Sequence, residues 1–295
     1  MIQVNDIKNV LIIGCGTLGL RIGLRCAMDG YNVRMYDLSE DFLEKALKTQ
    51  GKLLASMVKK GQITEGVAAE TKARITTTTD KKAAVKDIHL VSESVTEDLE
   101  LKIKMYQEFS QLFENQTVVT TNTSYLLASQ LAEATGCAER FCAFHFHDVF
   151  VMNVVDVMPH PTTDPKICDL LMAFGHKIHQ IPVFIKTENH GYVFNQMLLA
   201  LLGSAGDLFT REITSIQDVD RSWMGNTKMN IGPFGIMDQI GLDTAWHVIN
   251  TRKDSRSLRF AELLRGYMEQ GKLGLKTGEG FYKYPNPEYH NADFI

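Results

Sequence analysis

The sequence predicts an α/β chain, with a doubly wound, mainly parallel sheet followed by an all-helical C-terminal domain. Three observations carry this. Short β-type runs alternate with helical stretches through the first half. A glycine turn joins the first run to the first helical stretch, and beyond residue 188 only helical spacing remains. The 295 residues suit about two domains at ~100–200 residues each. The polar connection Lys186-Thr187-Glu188-Asn189-His190-Gly191 sets the expected boundary, giving domains 1–187 and 188–295.

In chain order, Asn9-Val10-Leu11-Ile12-Ile13 is a continuous apolar run, as a strand covered on both faces requires. An amphipathic helix runs to about residue 29, and residues 32–37 form a second strand. Residues 42–60 keep Phe42, Leu43, Ala46, Leu53, Leu54 and Met57 at helical spacing. Further strands are expected at 74–77, 88–92, 116–121, 141–146, 153–158 and 180–185. Helices fit at 99–113 and 125–134, and then at 193–212, 234–248 and 255–268.

Composition excludes several classes. A hydrophobic share of 44% and a charged share of 22% are ordinary for a globular chain. Thirty-one Lys+Arg against 35 Asp+Glu give a net charge of −4, so no basic surface points to nucleic acid. The apolar stretch 192–209 is interrupted by Asn195, Gln196, Ser204 and Asp207, which argues against a membrane span. The five scattered cysteines include no CxxC pair, and His160, His176, His179 and His190 show no ligand spacing and no surrounding acid or cysteine cluster, so neither a disulfide scaffold nor a metal is expected. With no signal-peptide pattern at the start, the expected location is cytoplasmic.

The strongest local signal is Gly14-Cys15-Gly16-Thr17-Leu18-Gly19, with Asp37 ending the next strand. Gly14 permits the tight turn, Gly16 lets a pyrophosphate approach the backbone, and Gly19 lets helix and strand pack closely. The phosphates then meet the free N–H groups of a helix N-terminus. A carboxylate at Asp37 accepts hydrogen bonds from both ribose hydroxyls and repels a 2′-phosphate, which favours NAD over NADP. This is the fingerprint of a Rossmann-type domain. Cys15 reads as a small packed side chain, with an activated thiol as the competing reading.

Ser124 follows one strand and His145-Phe146-His147-Asp148 ends the next, while Asp156 lies in the strand after that. Ligands of such sheets sit outside the carboxyl ends of the strands, on the side of the glycine turn. Removing a hydride from a secondary alcohol needs a base for the hydroxyl proton, and imidazole titrates in the right range. A carboxylate on the other ring nitrogen fixes the tautomer. From the residues alone, a structural histidine competes with a catalytic one. Trp223, Met224, Met229 and Met237 read as core, with an acyl pocket as the alternative.

Glu97-Asp-Leu-Glu-Leu-Lys102, Asn122-Thr-Ser124, His145-Phe, Gly191-Tyr-Val-Phe-Asn195, Gly232-Pro-Phe-Gly and the closing Leu273-Gly-Leu-Lys276-Thr-Gly-Glu-Gly-Phe-Tyr-Lys-Tyr occur in order with the glycine motif. In these the chain resembles the 3-hydroxyacyl-CoA dehydrogenase family along nearly its whole length. The resemblance implies NAD-dependent, reversible oxidation of an L-3-hydroxyacyl-CoA to the 3-ketoacyl-CoA. It implies His145 as base and Asp156 as its acidic partner, with Ser124 and Asn195 hydrogen-bonded to the substrate. It further implies cofactor contacts at Glu97, Lys102, Asn122 and Lys276, a CoA contact at Lys60, and a homodimer formed through the helical domain.

Three departures stand out. The family commonly has Glu where Asp156 stands, and the loop from His145 to Met152 is one residue shorter than usual. The usual Phe-Asn-Pro after the histidine is here His147-Asp148-Val149, which is expected to bring negative charge near the nicotinamide. Leu53 replaces a serine often found in the 42–60 helix. Met158-Pro-His-Pro161-Thr-Thr is similar to the lambda-crystallin/L-gulonate 3-dehydrogenase branch, so a free hydroxy acid as substrate, or a non-catalytic dinucleotide-binding protein, is the alternative.

Overall fold

The computed structural model describes residues 2–250 and 254–295. The chain forms two compact units, Met1–Val193 and Phe194–Ile295.

The first unit is built on an eight-stranded sheet: β1 (Asn9–Ile13), β2 (Asn32–Tyr36), β3 (Ile75–Thr78), β4 (Leu90–Glu93), β5 (Val118–Thr121), β6 (Phe141–Phe146), β7 (Val154–Met158) and β8 (Ile181–Phe184), in the order β3-β2-β1-β4-β5-β6-β7-β8. Neighbouring strands are parallel except β6 and β7, which run antiparallel. The helices of this unit are α1 (Thr17–Met28), α2 (Glu40–Lys59), α3 (Glu65–Ala73), α4 (Lys81–Val85), α5 (Leu99–Ser110) and α6 (Pro165–Lys177). Alternate strand residues enter different cores. Val10 and Ile12 join a cluster with Ile22 of α1 and Phe174 of α6. Leu11 and Ile13 join one with Tyr106 and Phe109 of α5. Both faces are therefore covered, which is why the strands read as unbroken apolar runs.

The expected helix at 125–134 is absent. Thr123 Oγ1 accepts the backbone N–H of Leu126, and only the short 3₁₀ turns Ala128–Gln130 and Glu133–Thr135 follow. A local side-chain bond of this kind competes with helix formation.

The second unit holds α7 (Phe194–Thr210), α8 (Ile216–Thr227), α9 (Pro233–Ile240), α10 (Leu242–Asn250) and α11 (Ser255–Glu269). The continuous helix expected over 234–248 is two helices, broken at Gly241 with φ 99°. Helix α8 has no counterpart among the expected elements; Ser215 caps its first turn by accepting from Asp218 N–H. Met224 and Met237 are core, with Trp223 half-buried and Met229 exposed.

The closing string wraps the buried carboxylate of Asp238, which accepts from the backbone N–H groups of Phe281 and Tyr282 at 2.8 Å each and from the Tyr284 hydroxyl at 3.1 Å. Burial pushes this carboxyl up to about 6, against the lowering effect of those bonds. A folded value above the unfolded ~3.9 favours the protonated form on folding. Its contribution is fully present below about pH 4 and is lost as pH rises through about 6. Urea unfolding is expected to show wild type losing stability over that window, while Asp238→Asn loses less. Equal slopes would remove Asp238 as the cause.

Candidate active site

Because β1, β4, β5 and β6 run parallel, their carboxyl ends share one edge of the sheet. Gly14 follows β1 with φ 92°, and a Cβ there would lie 2.7 Å from the Ser94 carbonyl group. A Cβ on Gly19 would sit 2.0 Å from the Gly14 oxygen, so the helix can approach the turn only without a side chain. Gly16 has nothing within 4 Å of its Cβ position, and leaves its backbone open beside the first turn of α1. Asp37 follows β2. Its Oδ2 accepts from Cys15 N–H and its Oδ1 from Leu38 N–H, both at 2.8 Å.

A cleft of about 730 Å³ runs along Gly14, Gly16, Asp37, Phe42 and Val95, with Lys104 on its wall. That volume is in the range of small-ligand sites. An open backbone at a helix N-terminus, with the Asp37 carboxylate set against the same turn, fits a dinucleotide. Cys15 is buried, its thiol contacts the Tyr36 carbonyl, and burial pushes it well up, so it is a packed side chain and no activated thiol.

On the same edge, the antiparallel register places His145 directly opposite Asp156. Directly paired residues project on one face with Cβ atoms about 4.5–5.5 Å apart. His145 Nδ1 is 3.1 Å from Asp156 Oδ2. His147, two residues on and so on the same face, brings Nε2 to 2.8 Å from that same oxygen. With Nδ1 donating to Asp156, the lone pair of His145 falls on Nε2. The Tyr192 ring stacks on His145 at 4.5 Å and 20°, and its hydroxyl donates to the Thr123 carbonyl at 2.6 Å.

Burial pushes the His145 imidazole down, and the Asp156 hydrogen bond opposes this; the net shift is downward. Burial alone would raise Asp156, but bonds from both histidines outweigh it and hold the carboxyl below its usual range. The sharing of Asp156 by His147 is a feature sequence reasoning misses. Its signal is the His-x-His spacing, since period-two residues share a face, but the antiparallel partner is not readable from the chain. The three donor atoms lie within 4.8 Å of one another, a grouping able to hold a metal ion that linear spacing does not reveal.

Ser124 is exposed on a turn fixed by Glu97, whose Oε1 accepts from the backbone N–H groups of Ser124 and Tyr125 at 3.0 Å each and from the Thr123 hydroxyl. Lys102 is 1% exposed, with its ammonium on Glu93 and on the Val95 carbonyl. Glu93 also accepts from Tyr106 and Thr121. Glu97 and Lys102 thus brace the loops of the site, and Asn122 Oδ1 accepts from Phe146 N–H at 2.7 Å.

Asp148 behaves otherwise than expected. Its carboxylate pairs with Arg21 of α1 at 2.8 Å and accepts from Phe150 and Val151 N–H, so its charge is taken up by that guanidinium and the loop's own backbone. Asp148→Asn is expected to change the NAD+/NADH dissociation-constant ratio by less than about threefold, since paired charges have weak fields at a distance. A larger change would restore the direct electrostatic reading. Lys60 is exposed at the C-cap of α2, Lys276 pairs with Asp243, and Asn195 lies half-buried in the first turn of α7.

Residues 9–188 match the family model described as 3-hydroxyacyl-CoA dehydrogenase, NAD binding domain, and residues 191–284 match the C-terminal domain of the same family. The chain is 32% identical over 291 residues to mitochondrial hydroxyacyl-coenzyme A dehydrogenase of Rattus norvegicus, covering 94% of this chain and 91% of that one. Among solved structures it is similar to a diketoreductase acting on dicarbonyl compounds, with TM-score 0.90, 36% identity and coverage of 96% and 100%. A (S)-3-hydroxybutyryl-CoA dehydrogenase from Ralstonia eutropha matches with TM-score 0.86, 30% identity and coverage of 95% and 100%. The fold and its NAD-binding domain define a nicotinamide-dependent oxidoreductase. The chain belongs to the 3-hydroxyacyl-CoA dehydrogenase family.

Proposed function

We propose that the protein catalyses the NAD-dependent, reversible oxidation of L-3-hydroxyacyl-CoA thioesters to 3-ketoacyl-CoA. The observation that carries the reaction is the His145–Asp156 pair on the sheet edge that also bears the glycine turn. In this reading His145 Nε2 takes the hydroxyl proton, and Asp156 stabilises the imidazolium that forms. Ser124, held by Glu97, hydrogen-bonds the reacting oxygen. Asp37 and the open backbone at Gly16 hold the dinucleotide. When bound, NAD supplies the hydride acceptor. Asn195, Lys60 and Lys276 keep the roles the resemblance implies, each to be read by alanine substitution.

A second reading has one observation in its favour. The likeness to a diketoreductase acting on dicarbonyl compounds supports a dicarbonyl compound or its hydroxy form, with a free hydroxy acid among the candidates, as the alternative substrate. Following NADH absorbance with 3-hydroxybutyryl-CoA, longer 3-hydroxyacyl-CoAs, free 3-hydroxybutyrate and L-gulonate separates the two. We expect kcat/KM for a thioester to exceed that for every free acid by at least about tenfold, the effect of one or two lost polar contacts. Turnover of free acids alone would replace the first reading by the second.

We also propose a homodimer, supported by exposed apolar residues of α7 such as Phe194 and Met197, with sedimentation velocity as the test. A reducing, cytoplasmic setting is supported by five buried, unbridged cysteines. Among the described residues, no helix is long and apolar enough to cross a membrane.

A further inference from the structure

Asp156 is a short acid reaching across an antiparallel pair of strands, and ring nitrogens of two histidines meet its single oxygen Oδ2. His147 makes the shorter contact, 2.8 Å against 3.1 Å from His145. The two imidazoles lie edge to face with centroids 4.6 Å apart. A carboxylate held by one neutral N–H has freedom to rotate; a second donor on the same oxygen removes it. We propose that His147 is a positioning residue for the reaction, fixing Asp156 toward His145 through the carboxylate oxygen the two rings share.

The consequence follows from charge. An imidazolium formed on His145 is stabilised by the Asp156 carboxylate it faces, so a second donor that fixes this carboxylate acts on the base through it. The other groups bearing on the pair are Glu97 after β4 and the Tyr192 ring stacked on His145. Glu97 and Asp156 favour the His145 cation, whereas His147 opposes it.

This rests on His145 being the base, so the test has one arm without substrate. His147→Phe removes the donor and restores the aromatic residue usual in the family at this position; His147→Gln keeps an N–H donor but does not titrate. We expect His147→Phe to lower kcat roughly tenfold, the effect of one lost hydrogen bond to a charged group, with KM within about twofold. His147→Gln should recover kcat to within about threefold of wild type. NMR of the His145 ring without substrate should show the Nδ1–H resonance of its bond to Asp156 in wild type and in His147→Gln, and should show it broadened or lost in His147→Phe. A His147→Phe enzyme as active as wild type, or a His145 Nδ1–H resonance unchanged in that variant, would overturn the proposal. If no substrate is turned over, the resonance still decides the positioning, and the proposed activity fails separately.

Discussion

Replacing His145 with Gln is expected to lower kcat for 3-hydroxyacyl-CoA oxidation by about 10²- to 10⁴-fold, the usual contribution of a positioned general base. Glutamine preserves much of the ring's volume and can still hydrogen-bond Asp156, so the fold and NAD binding should persist. The loss should fall on kcat and kcat/KM alike, because proton removal occurs in the transition state rather than in substrate binding. NAD dissociation constants, read from intrinsic fluorescence, should stay within about threefold, because the dinucleotide is held by the glycine turn and Asp37 and the substitution leaves both unchanged. A variant that keeps more than a tenth of wild-type kcat would transfer the base role to another group, with His147 the first to test. The pH dependence carries a sign as well. Burial holds the imidazole of His145 below its ordinary value, so the neutral, proton-accepting form persists into mildly acidic solution. The same shift makes folding favour the neutral ring: this contribution is present above the unfolded value near 6.5 and is lost as pH falls through the folded one.

The sequence discloses the cofactor half of the rim more completely than the chemical half, and the reason lies in how each is encoded. The turn at Gly14, the close approach at Gly19 and the acid at Asp37 are local consequences of one βαβ unit, so their spacing is written along the chain. The His145–Asp156 contact depends on the register of an antiparallel strand pair. Register is set by the hydrophobic pattern and the connecting loop, and here that loop is irregular. The pair is therefore visible only through resemblance, and the His-x-His spacing puts the second histidine on the same face without disclosing that both rings meet one oxygen. Asp148 shows the converse: its chemistry suggests a field at the cofactor, but Arg21 lies 127 residues away in sequence and takes the charge. The 125–134 segment departs from its helical pattern for a local reason, since Thr123 diverts the backbone N–H groups a helix would need. Across the closing Thr-Gly-Glu-Gly-Phe-Tyr string, part of the recognisable pattern is packing around Asp238 rather than contact with a ligand.

Two glycines of one turn are expected to fail in different ways when changed to alanine, and the contrast tests the dinucleotide site directly. At Gly19 the added methyl would lie 2.0 Å from the Gly14 carbonyl oxygen and 3.1 Å from Ser94 Cβ. The oxygen belongs to backbone already turned at positive φ, so it cannot rotate aside, and α1 must move off the strand end. Overpacking of this kind costs about 3 kcal/mol at the upper end of its usual range, roughly 6–12 °C in Tm for a unit of this size. At Gly16 a methyl meets nothing within 4 Å, and the backbone there is in the extended region at φ −64° and ψ −170°, which alanine adopts without strain. Gly16→Ala should therefore melt within about 2 °C of wild type, as surface changes do. Its methyl would nonetheless occupy the space through which a pyrophosphate approaches the helix N-terminus. Losing one or two charge-assisted bonds there should weaken NAD binding by about 10- to 100-fold. Differential scanning fluorimetry and NAD titration on both variants separate the two effects. Wild-type NAD affinity in Gly16→Ala would move the dinucleotide away from this turn, whereas an unchanged Tm in Gly19→Ala would mean that the helix has room the geometry denies it.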